Sequence, residues 1–244
     1  MSRPRLSIVV PVKDEEGNIR PLAEACRAAL GSLYGQSEIL FVDDGSADQS
    51  LARMQELAAQ DPAVRWIQFE RNCGQSAALD AGFRAARGGL VAMLDADLQN
   101  DPADLPAMVA LLDAGACDCV CGIRQKRQDS LVRRISSRIG NATRNWLTHE
   151  DIQDVGCSIR VFRRELLRGL KMYNGMHRFL PTLLRLEGAR IEQVPVRHHP
   201  RTRGQTKYGI GNRLFRGLRD IFAVRWMQSR HIRYTIKAQS PARQ

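Results

Sequence analysis

The chain has 244 residues, of which 43% are hydrophobic and 26% charged, and its formal net charge is +11. This composition is typical of a globular protein and excludes a disordered or fibrous one, and the length suits one large α/β domain or two small ones. No stretch approaches the roughly 18 uninterrupted apolar residues of a membrane-spanning helix, and the apolar run near the N-terminus is too short for a signal peptide. We therefore expect a cytoplasmic protein.

The net charge is concentrated in the last fifth of the chain. Residues 1–196 carry 25 basic and 25 acidic side chains, whereas residues 197–244 carry 12 basic side chains and one acidic residue, Asp220. An ordinary solvated surface would mix both signs, so this asymmetry indicates an anionic partner. Substrate phosphate groups, an anionic membrane surface and nucleic acid are the three candidates.

The first 120 residues alternate short apolar runs with helical patterns, an order that predicts βαβ units on a mainly parallel sheet. The predicted strands, in chain order, are LSIVVPV, EILFVDD, VRWIQFE, LVAMLDAD and CDCVCG. The predicted helices lie near residues 18–34, 47–59, 75–87 and 102–114. Ser46 and Gln49 have the spacing of a capping box for the second helix. Asp101 and Pro102 begin the fourth helix, which Gly115 can end.

After residue 121 the pattern is less regular. It predicts an Arg-rich helix near 130–147, a polar loop HEDIQDVGC, a strand SIRVFRR, helices within 164–187, a strand ARIEQVPVRHH and a basic loop RTRGQTKYG. A basic amphipathic helix follows at about 209–228, with an apolar stripe formed by Leu214, Leu218, Ile221 and Phe222. This helix can pack on the domain or lie on a membrane, and both placements stay open. Residues 1–230 are predicted to form one domain and residues 231–244 a flexible tail.

The six cysteines show no paired C-x-x-C spacing and are expected to be reduced, buried, small hydrophobic side chains. They are Cys26, Cys73, Cys117, Cys119, Cys121 and Cys157. Cys117, Cys119 and Cys121 occupy every second position, which predicts three thiols on one face of a strand. With no fourth ligand nearby, a core strand is preferred over a metal site.

The stretch LVAMLDADLQ, residues 90–99, brings Asp95, Asp97 and Gln99 to the point where a buried strand ends. Buried carboxylates without partners are costly, so a divalent cation is a natural explanation, and a loop that caps the next helix is the alternative. In an extended strand Asp95 and Asp97 would lie roughly 6.6 Å apart, whereas the ligands of Mg²⁺ lie about 2.1 Å from it. The chain must therefore turn here, or one ligand must act through water.

Acidic side chains also follow two other predicted strands. Ligands of parallel sheets bind beyond the carboxyl ends of the strands, where Glu15, the pair Asp43 and Asp44, and the Asp95–Asp97 region all lie. Like charges that converge in one crevice repel each other, so something cationic or hydrogen-donating should bind there. A nucleotide sugar with Mg²⁺ or Mn²⁺ meets this need, because such a metal keeps coordination positions for substrate phosphates.

The segments VPVKDEE, FVDDGS, ERNCGQ, LDADLQNDP and RTRGQTKY, in this order and spacing, resemble family 2 glycosyltransferases. The resemblance covers about residues 5–228. It implies the GT-A fold, a Rossmann-like α/β nucleotide-diphospho-sugar transferase fold with a mainly parallel mixed sheet flanked by helices. Within the family the chain is most similar to the polyprenyl-phosphate branch, which includes dolichol-phosphate mannose synthases and bacterial undecaprenyl-phosphate sugar transferases. Three segments are especially similar to the undecaprenyl-phosphate aminoarabinose-type transferases: RNCGQSAALDAGF through LDADLQNDP, GIRQKRQDSLVRR and DVGCSIRVFRR.

The resemblance implies a role for each motif on the donor side. It implies a nucleoside pocket lined by Pro11, Glu15, Asp43 and Asp44. It implies that Mg²⁺ or Mn²⁺ is held by Asp95, Asp97 and Gln99. Arg201 and Lys207 would close over the donor diphosphate and, together with Asp97, form the catalytic set.

On the acceptor side the resemblance implies a lipid phosphate that faces Arg124, Arg133 and Ser137. Such a phosphate monoester is already largely ionised near neutral pH, so it can attack the anomeric carbon without a catalytic base. The enzyme would align the two phosphates and stabilise the departing nucleoside diphosphate, with inversion of the anomeric centre. Asp154 matches a position near the sugar pocket, and a loop-capping role is its alternative.

The chain departs from the family pattern at three positions. Lys13 stands where an aromatic residue is frequent beside the nucleotide, which leaves the donor base open between uridine and guanosine. Asp14 replaces a frequent Asn, and Thr206 replaces the usual Ser before Lys207. Many relatives also carry transmembrane helices after the catalytic domain. Attachment of this chain to a membrane would need its basic helix or a partner subunit.

The sequence thus predicts an inverting, metal-dependent glycosyltransferase that moves a sugar from a nucleotide diphosphate to an undecaprenyl or dolichyl phosphate. It would be peripheral at the inner face of the cytoplasmic membrane. The same donor chemistry with a saccharide, glycolipid or protein hydroxyl acceptor is an alternative, which would need Asp151 or Asp154 as a base. A basic membrane- or nucleic-acid-binding module is the remote alternative. Nucleic acid is not expected as a partner, because only 6% of residues are aromatic.

Overall fold

A computed structural model of the chain describes residues 3–125, 142, 144–200 and 211–232, without the side chains of residues 211–216 and 218. Its strands are β1 (Leu6–Val12), β2 (Ser37–Asp43), β3 (Val64–Gln68), β4 (Leu90–Met93), β5 (Cys119–Arg124), β6 (Arg160–Arg163) and β7 (Ile191–Val196). Its α-helices are α1 (Ile19–Leu30), α2 (Ser50–Gln60), α3 (Gln75–Ala85), α4 (Leu105–Asp113), α5 (Leu180–Leu186) and α6 (Gly211–Arg230). Residues 144–148 are also helical.

The seven strands form one sheet in the order β3-β2-β1-β4-β6-β5-β7. Strands β1, β2, β3 and β4 are mutually parallel, and β5 is parallel to β7. Among the described strands β6 alone runs antiparallel to its neighbours, β4 and β5. The predicted mainly parallel mixed sheet is confirmed. Its parallel strands place the carboxyl ends of β1, β2 and β4 side by side.

Helices cover both faces of the sheet. One hydrophobic cluster joins Ile8 and Phe41 to α1, α2 and α4. The other joins Val9 and Leu40 to α3, α5 and α6. Every residue of β2 is buried, as expected for a strand that is covered on both sides. A Cβ atom on Gly82 of α3 would lie 2.3 Å from Val9 Cγ1, so the glycine lets this helix approach β1 closely.

The predicted capping box of the second helix differs from the structure. Helix α2 begins at Ser50, and Ser46 is not its cap. The Ser46 hydroxyl instead accepts a hydrogen bond from the backbone N–H of Asp14, at 2.9 Å, and Asp48 Oδ1 accepts from the N–H of Ser50. By contrast, Asp101 accepts from the N–H of Ala103 as predicted, and the α4 segment ends before Gly115, whose φ is +75°.

The cysteines also differ from the prediction. All six are reduced and five are buried, but Cys73 is exposed. Cys119 and Cys121 lie on the same face of β5, with sulfur atoms 3.7 Å apart. Cys117 precedes the strand and packs in the cluster on the opposite face, because alternation of side chains begins only where the strand does. The prediction of three thiols on one face is therefore wrong.

Helix α6 packs on the domain through a polar contact and an apolar one. Asp220 is buried and pairs with Arg178 at 3.0 Å, and Val224 is fully buried. Phe222, predicted to be part of the apolar stripe, is 63% exposed and Ile221 is half-buried, so the side of the helix that packs on the domain does not include Phe222. No helix within the described ranges has the length and hydropathy needed to cross a membrane.

Candidate functional site

The chain turns directly after β4, as the sequence predicts. Ala96 and Asp97 lie in a turn, and Leu98 adopts a left-handed conformation with φ of +59°. Asp97 Oδ1 accepts a hydrogen bond from the backbone N–H of Gln99 at 3.2 Å, which holds the turn. The turn brings the carboxylate of Asp97 close enough to Asp95 to raise the pKa of Asp95.

The carboxylate of Asp95 is in an unfavourable environment for a negative charge. Burial, and then the neighbouring Asp97, raise the pKa of Asp95 to about 6, against the opposing effects of Ser158, Arg160 and Arg124. Gln75 Nε2 donates a hydrogen bond to Asp95 Oδ1 at 3.0 Å. A cation beside the two carboxylates would relieve their repulsion.

Carboxylate and amide oxygens are the ligands that Mg²⁺ and Mn²⁺ prefer, so the set formed by Asp95, Asp97 and Gln99 fits such an ion. Among the residues that the structure describes, no group of three or more Asp, Glu, His or Cys side chains is arranged to hold a metal. The protein would therefore supply few ligands, and substrate phosphates or water would supply the others.

The two acidic residues after β2 have different surroundings. The carboxylate of Asp44 accepts hydrogen bonds from the backbone N–H groups of Cys73 and Gly74, at 2.6 and 2.9 Å, and so fixes the start of α3. Asp43 Oδ1 accepts from the N–H of Ser46 at 3.0 Å. Asp43 Oδ2 is buried without a hydrogen-bond partner. Of the two residues, Asp43 thus has a buried acceptor that a ligand could satisfy.

The loops after β1 and β2 are held together by reciprocal hydrogen bonds. Lys13 Nζ donates to the carbonyl of Gly45 at 2.5 Å, and Asp14 Oδ1 accepts from the N–H of Ala47 at 2.7 Å. Glu15 Oε2 accepts from Asn18 Nδ2 at 2.6 Å. Lys13, which departs from the family pattern, therefore takes part in fixing the loop.

At the predicted acceptor side, Arg124 and Asp154 contact each other. Arg124 Nε and Nη2 donate to the two oxygens of Asp154, each at 2.8 Å, and Asp154 is buried. A Cβ atom on Gly156 would lie 2.7 Å from Arg124 Nη2, so the glycine leaves room for the pair. The acceptor role of Arg124 and the sugar role of Asp154 remain predictions.

Four predicted site residues lie outside the described ranges. They are Arg133, Ser137, Arg201 and Lys207. The described chain approaches this last pair along a segment that is bound to the Asp95–Asp97 turn. The N–H of His199 donates to the carbonyl of Gln99 at 2.8 Å, His198 forms an antiparallel bridge with Asn100, and the N–H of Arg197 donates to Asp104 at 2.7 Å.

Sequence reasoning missed two buried arginines. Arg160, on β6 opposite Met93 of β4, donates to the carbonyls of His177 and Val155 at 3.0 Å. Its charge partly opposes the rise in the pKa of Asp95. Its position in the strand SIRVFRR, on the same face as buried Phe162, was the available signal.

Arg144 is the second of these residues. It is buried, and its Nε and Nη1 atoms have no hydrogen-bond partner. Its guanidinium carbon lies 5.9 Å from the centre of the Phe179 ring, and burial lowers the pKa of Arg144 to about 10. The sequence pattern gives no signal for this burial, because the surrounding segment is Arg-rich.

A mainly parallel sheet with acidic side chains beyond the carboxyl ends of three adjacent strands defines the class of α/β proteins that bind ligands at that edge of the sheet. Solved structures of glucosyl-3-phosphoglycerate synthase from Mycobacterium tuberculosis share this fold. The complex with phosphoglyceric acid matches at a TM-score of 0.66 and 21% identity, over 92% of this chain and 80% of that chain. The complex with Mn²⁺, UDP and phosphoglyceric acid matches at 0.67 and 21%, over 92% and 78%. The predicted GT-A fold is confirmed.

Residues 7–170 match the family model described as Glycosyl transferase family 2. This chain belongs to that family. It is 39% identical over 223 residues to dodecaprenyl-phosphate galacturonate synthase of Rhizobium johnstonii, over 90% of this chain and 66% of that protein. It is 39% identical over 207 residues to undecaprenyl-phosphate 4-deoxy-4-formamido-L-arabinose transferase of Edwardsiella ictaluri, over 84% and 63%. The chain thus spans just under two thirds of both relatives, and the predicted polyprenyl-phosphate branch is confirmed.

Proposed function

We propose that this chain transfers a sugar from a nucleotide-diphosphate donor to a polyprenyl phosphate, with inversion at the anomeric carbon. The observation that carries the proposal is the turn that joins Asp95 and Asp97 at the carboxyl end of β4. It occurs in a family 2 chain whose relatives are named for polyprenyl-phosphate products. The donor is a cytosolic metabolite class and the acceptor a membrane lipid, so the reaction belongs at the cytoplasmic membrane face.

On the donor side, Asp95, Asp97 and Gln99 would hold Mg²⁺ or Mn²⁺, which supplies positive charge to the diphosphate when bound. Similar solved structures contain Mn²⁺ with UDP or with UDP-glucose. The partnerless oxygen of Asp43 would accept a hydrogen bond from the donor. Asp44 would act indirectly, because its hydrogen bonds to Cys73 and Gly74 hold the wall of the crevice.

On the acceptor side, an oxygen of the lipid phosphate would form the new bond to the anomeric carbon as the bond to the donor diphosphate breaks. The nucleoside diphosphate leaves with the bonding electrons. The phosphate is already ionised, so this chain needs to align two phosphates rather than remove a proton. Arg201 and Lys207 would stabilise the leaving group, and Arg124, Arg133 and Ser137 would face the acceptor.

The two acids that a hydroxyl acceptor would require are both engaged with arginines. Asp151 accepts a hydrogen bond from Arg185 at 2.8 Å, which lowers the pKa of Asp151. Asp154 is held by both nitrogens of the Arg124 fork. A carboxylate stabilised in this way is a weak proton acceptor. This observation favours a phosphate acceptor over a saccharide or protein hydroxyl.

The test is a transfer assay on the purified chain with undecaprenyl phosphate in detergent and a panel of UDP- and GDP-sugars. Release of nucleoside diphosphate should need both the lipid phosphate and Mg²⁺ or Mn²⁺, and chelation should abolish it. Asp97→Ala should lose this release, whereas Asp80→Ala, at a half-buried acid paired with Arg84 on α3, should retain it. Release that persists without lipid phosphate, or transfer to a saccharide instead, would contradict the proposal.

A further inference from the structure

Most of the exposed large hydrophobic side chains in the described ranges lie on or beside α6. Phe222 and Trp226 of this helix are 63% and 64% exposed. Trp146 is 75% exposed and lies in the helical residues 144–148, where the carbonyl of Thr148 accepts a hydrogen bond from Gln228 of α6 at 2.7 Å. Large exposed apolar side chains that cluster on neighbouring elements are typical of an interaction site.

The two sides of α6 differ in chemistry. Phe222 and Trp226 are four residues apart and therefore share one face, away from buried Asp220 and Val224. Three arginines, Arg219, Arg225 and Arg230, are also exposed on the outer side. No ion pair joins any of the three to an acid in the part of the chain that the structure describes.

The acidic residue of this helix is turned inward. Asp220 pairs with Arg178, and a Cβ atom on Gly175 would lie 2.8 Å from its Oδ2. The outer side of α6 is therefore aromatic and positively charged, with no negative charge of its own. Tryptophan and phenylalanine favour the interface of a bilayer, and arginine binds lipid phosphates there.

We propose that Phe222, Trp226 and Trp146, flanked by Arg219, Arg225 and Arg230, form a membrane-docking surface that inserts into the interface of an anionic phospholipid bilayer. A bilayer offers both an apolar layer for the aromatic rings and a continuous anionic layer for the arginines. The purpose of the surface rests on the proposed function, because a polyprenyl phosphate is held in the membrane. Helix α6 begins four residues after Lys207, so docking would bring the membrane near the proposed donor-closing segment.

The test measures binding of the full chain to vesicles by flotation, without donor or acceptor. Vesicles of phosphatidylcholine with about 30% phosphatidylglycerol should bind the chain, and pure phosphatidylcholine should bind it much less. The double variant Phe222→Ser/Trp226→Ser should bind about tenfold or more weakly, since both side chains are exposed and their loss leaves the core intact. Trp66→Ser, at an exposed tryptophan on the edge strand β3, is the matched control and should bind as the parent does.

A triple variant, Arg219→Gln/Arg225→Gln/Arg230→Gln, should lose the preference for anionic vesicles. Equal binding of the aromatic double variant and the parent would overturn the proposal, as would equal binding to neutral and anionic vesicles. If light scattering shows that the parent is a dimer and the double variant a monomer, the surface binds a second copy of the chain. That result would also overturn the proposal. Because the assay contains no substrate, its failure and failure of the transfer reaction are separate results.

Discussion

Acidic side chains at the two ends of the sheet have opposite pKa shifts. At the amino end, Asp118 accepts hydrogen bonds from Arg190 and Arg163, and those from Arg190 lower the pKa of Asp118 to about 2. Glu38 is buried, which opposes ionisation, but hydrogen bonds from Ser7, the backbone of Arg87 and Arg65 lower its pKa overall.

At the carboxyl end, Asp43, Asp44 and Asp95 form no ion pair with any residue in the described ranges. Burial and Asp97 raise the pKa of Asp95 instead. A lowered carboxyl pKa means that the negative charge stabilises the fold, whereas a raised pKa means that the charge destabilises it. The paired acids Asp118 and Glu38 at the amino end thus contribute to stability, whereas Asp95 at the carboxyl end keeps its charge for a ligand at a cost in stability.

The sharpest test of this comparison is Asp95→Asn. Transfer activity should fall about 1,000-fold, because a ligand of the proposed metal is lost. The variant should nevertheless be more stable than the parent by about 1–2 kcal/mol near pH 7, since the destabilising charge is removed. Urea unfolding near pH 7 measures this. Near pH 4 the gain should vanish, because Asp95 is then protonated in the parent too, and a less stable variant near pH 7 would contradict the comparison.

A second test concerns the two buried arginines. Arg160→Met should destabilise the protein by about 3 kcal/mol, because the carbonyls of His177 and Val155 lose a charged donor. Arg144→Met is the matched control, since two nitrogens of Arg144 have no partner, and its stability should change by less than about 1 kcal/mol. Chemical unfolding of both variants measures the two losses of stability. Equal losses would contradict the prediction that the hydrogen bonds of Arg160 make it the more stabilising of the two arginines.

At the amino end, Asp118→Asn should lower the free energy of unfolding by about 1–2 kcal/mol near pH 7 and leave transfer activity unchanged. The pKa of this carboxyl is depressed in the fold, so its contribution is complete above about pH 4 and is lost as the pH falls towards 2. The parent and the variant should therefore converge in stability over that interval. Thermal unfolding at a series of pH values measures the difference in stability between the two proteins. A difference that persists near pH 2 would contradict the prediction.

The smallest expected effect is on metal affinity. With the pKa of Asp95 near 6, a proton competes with the cation, so affinity for Mn²⁺ should fall about tenfold between pH 7 and pH 5. Calorimetric titration of the chain with MnCl₂ at both pH values measures this change. Affinity that stays constant over this range would mean that Asp95 does not bind the ion.

The fold could be predicted because alternating strands and helices and the rule for parallel sheets depend on local patterns. The same rule predicted that the acidic side chains lie at one edge of the sheet, and the reach of two neighbouring carboxylates predicted either the turn at Asp97 or a ligand that acts through water. The pairing of Arg124 with Asp154 could not be predicted, because the two residues are 30 positions apart and meet only in the folded chain.

The orientation of the last helix could not be predicted from the sequence for a related reason. The apolar spacing that includes Phe222 left open whether this face packs on the domain or lies on a membrane. In the structure Asp220 lies on the packed side of the helix and pairs with Arg178, which lies 42 residues away. Ser46 likewise had the spacing of a helix cap and instead serves the loop of Asp14. In each case a distant polar partner outweighed a short-range pattern.

The hydrogen bonds between residues 197–199 and residues 99–104 have a practical consequence for protein engineering. The Gln99 carbonyl and the Asp104 carboxylate fix the path of the chain just before Arg201. A graft that replaces residues 95–104 with those of a relative can shift the Gln99 carbonyl and remove the Asp104 carboxylate, and so disturb the path of the later segment. Chimeras intended to change donor preference should therefore exchange both segments as one unit, with the spacing within each preserved.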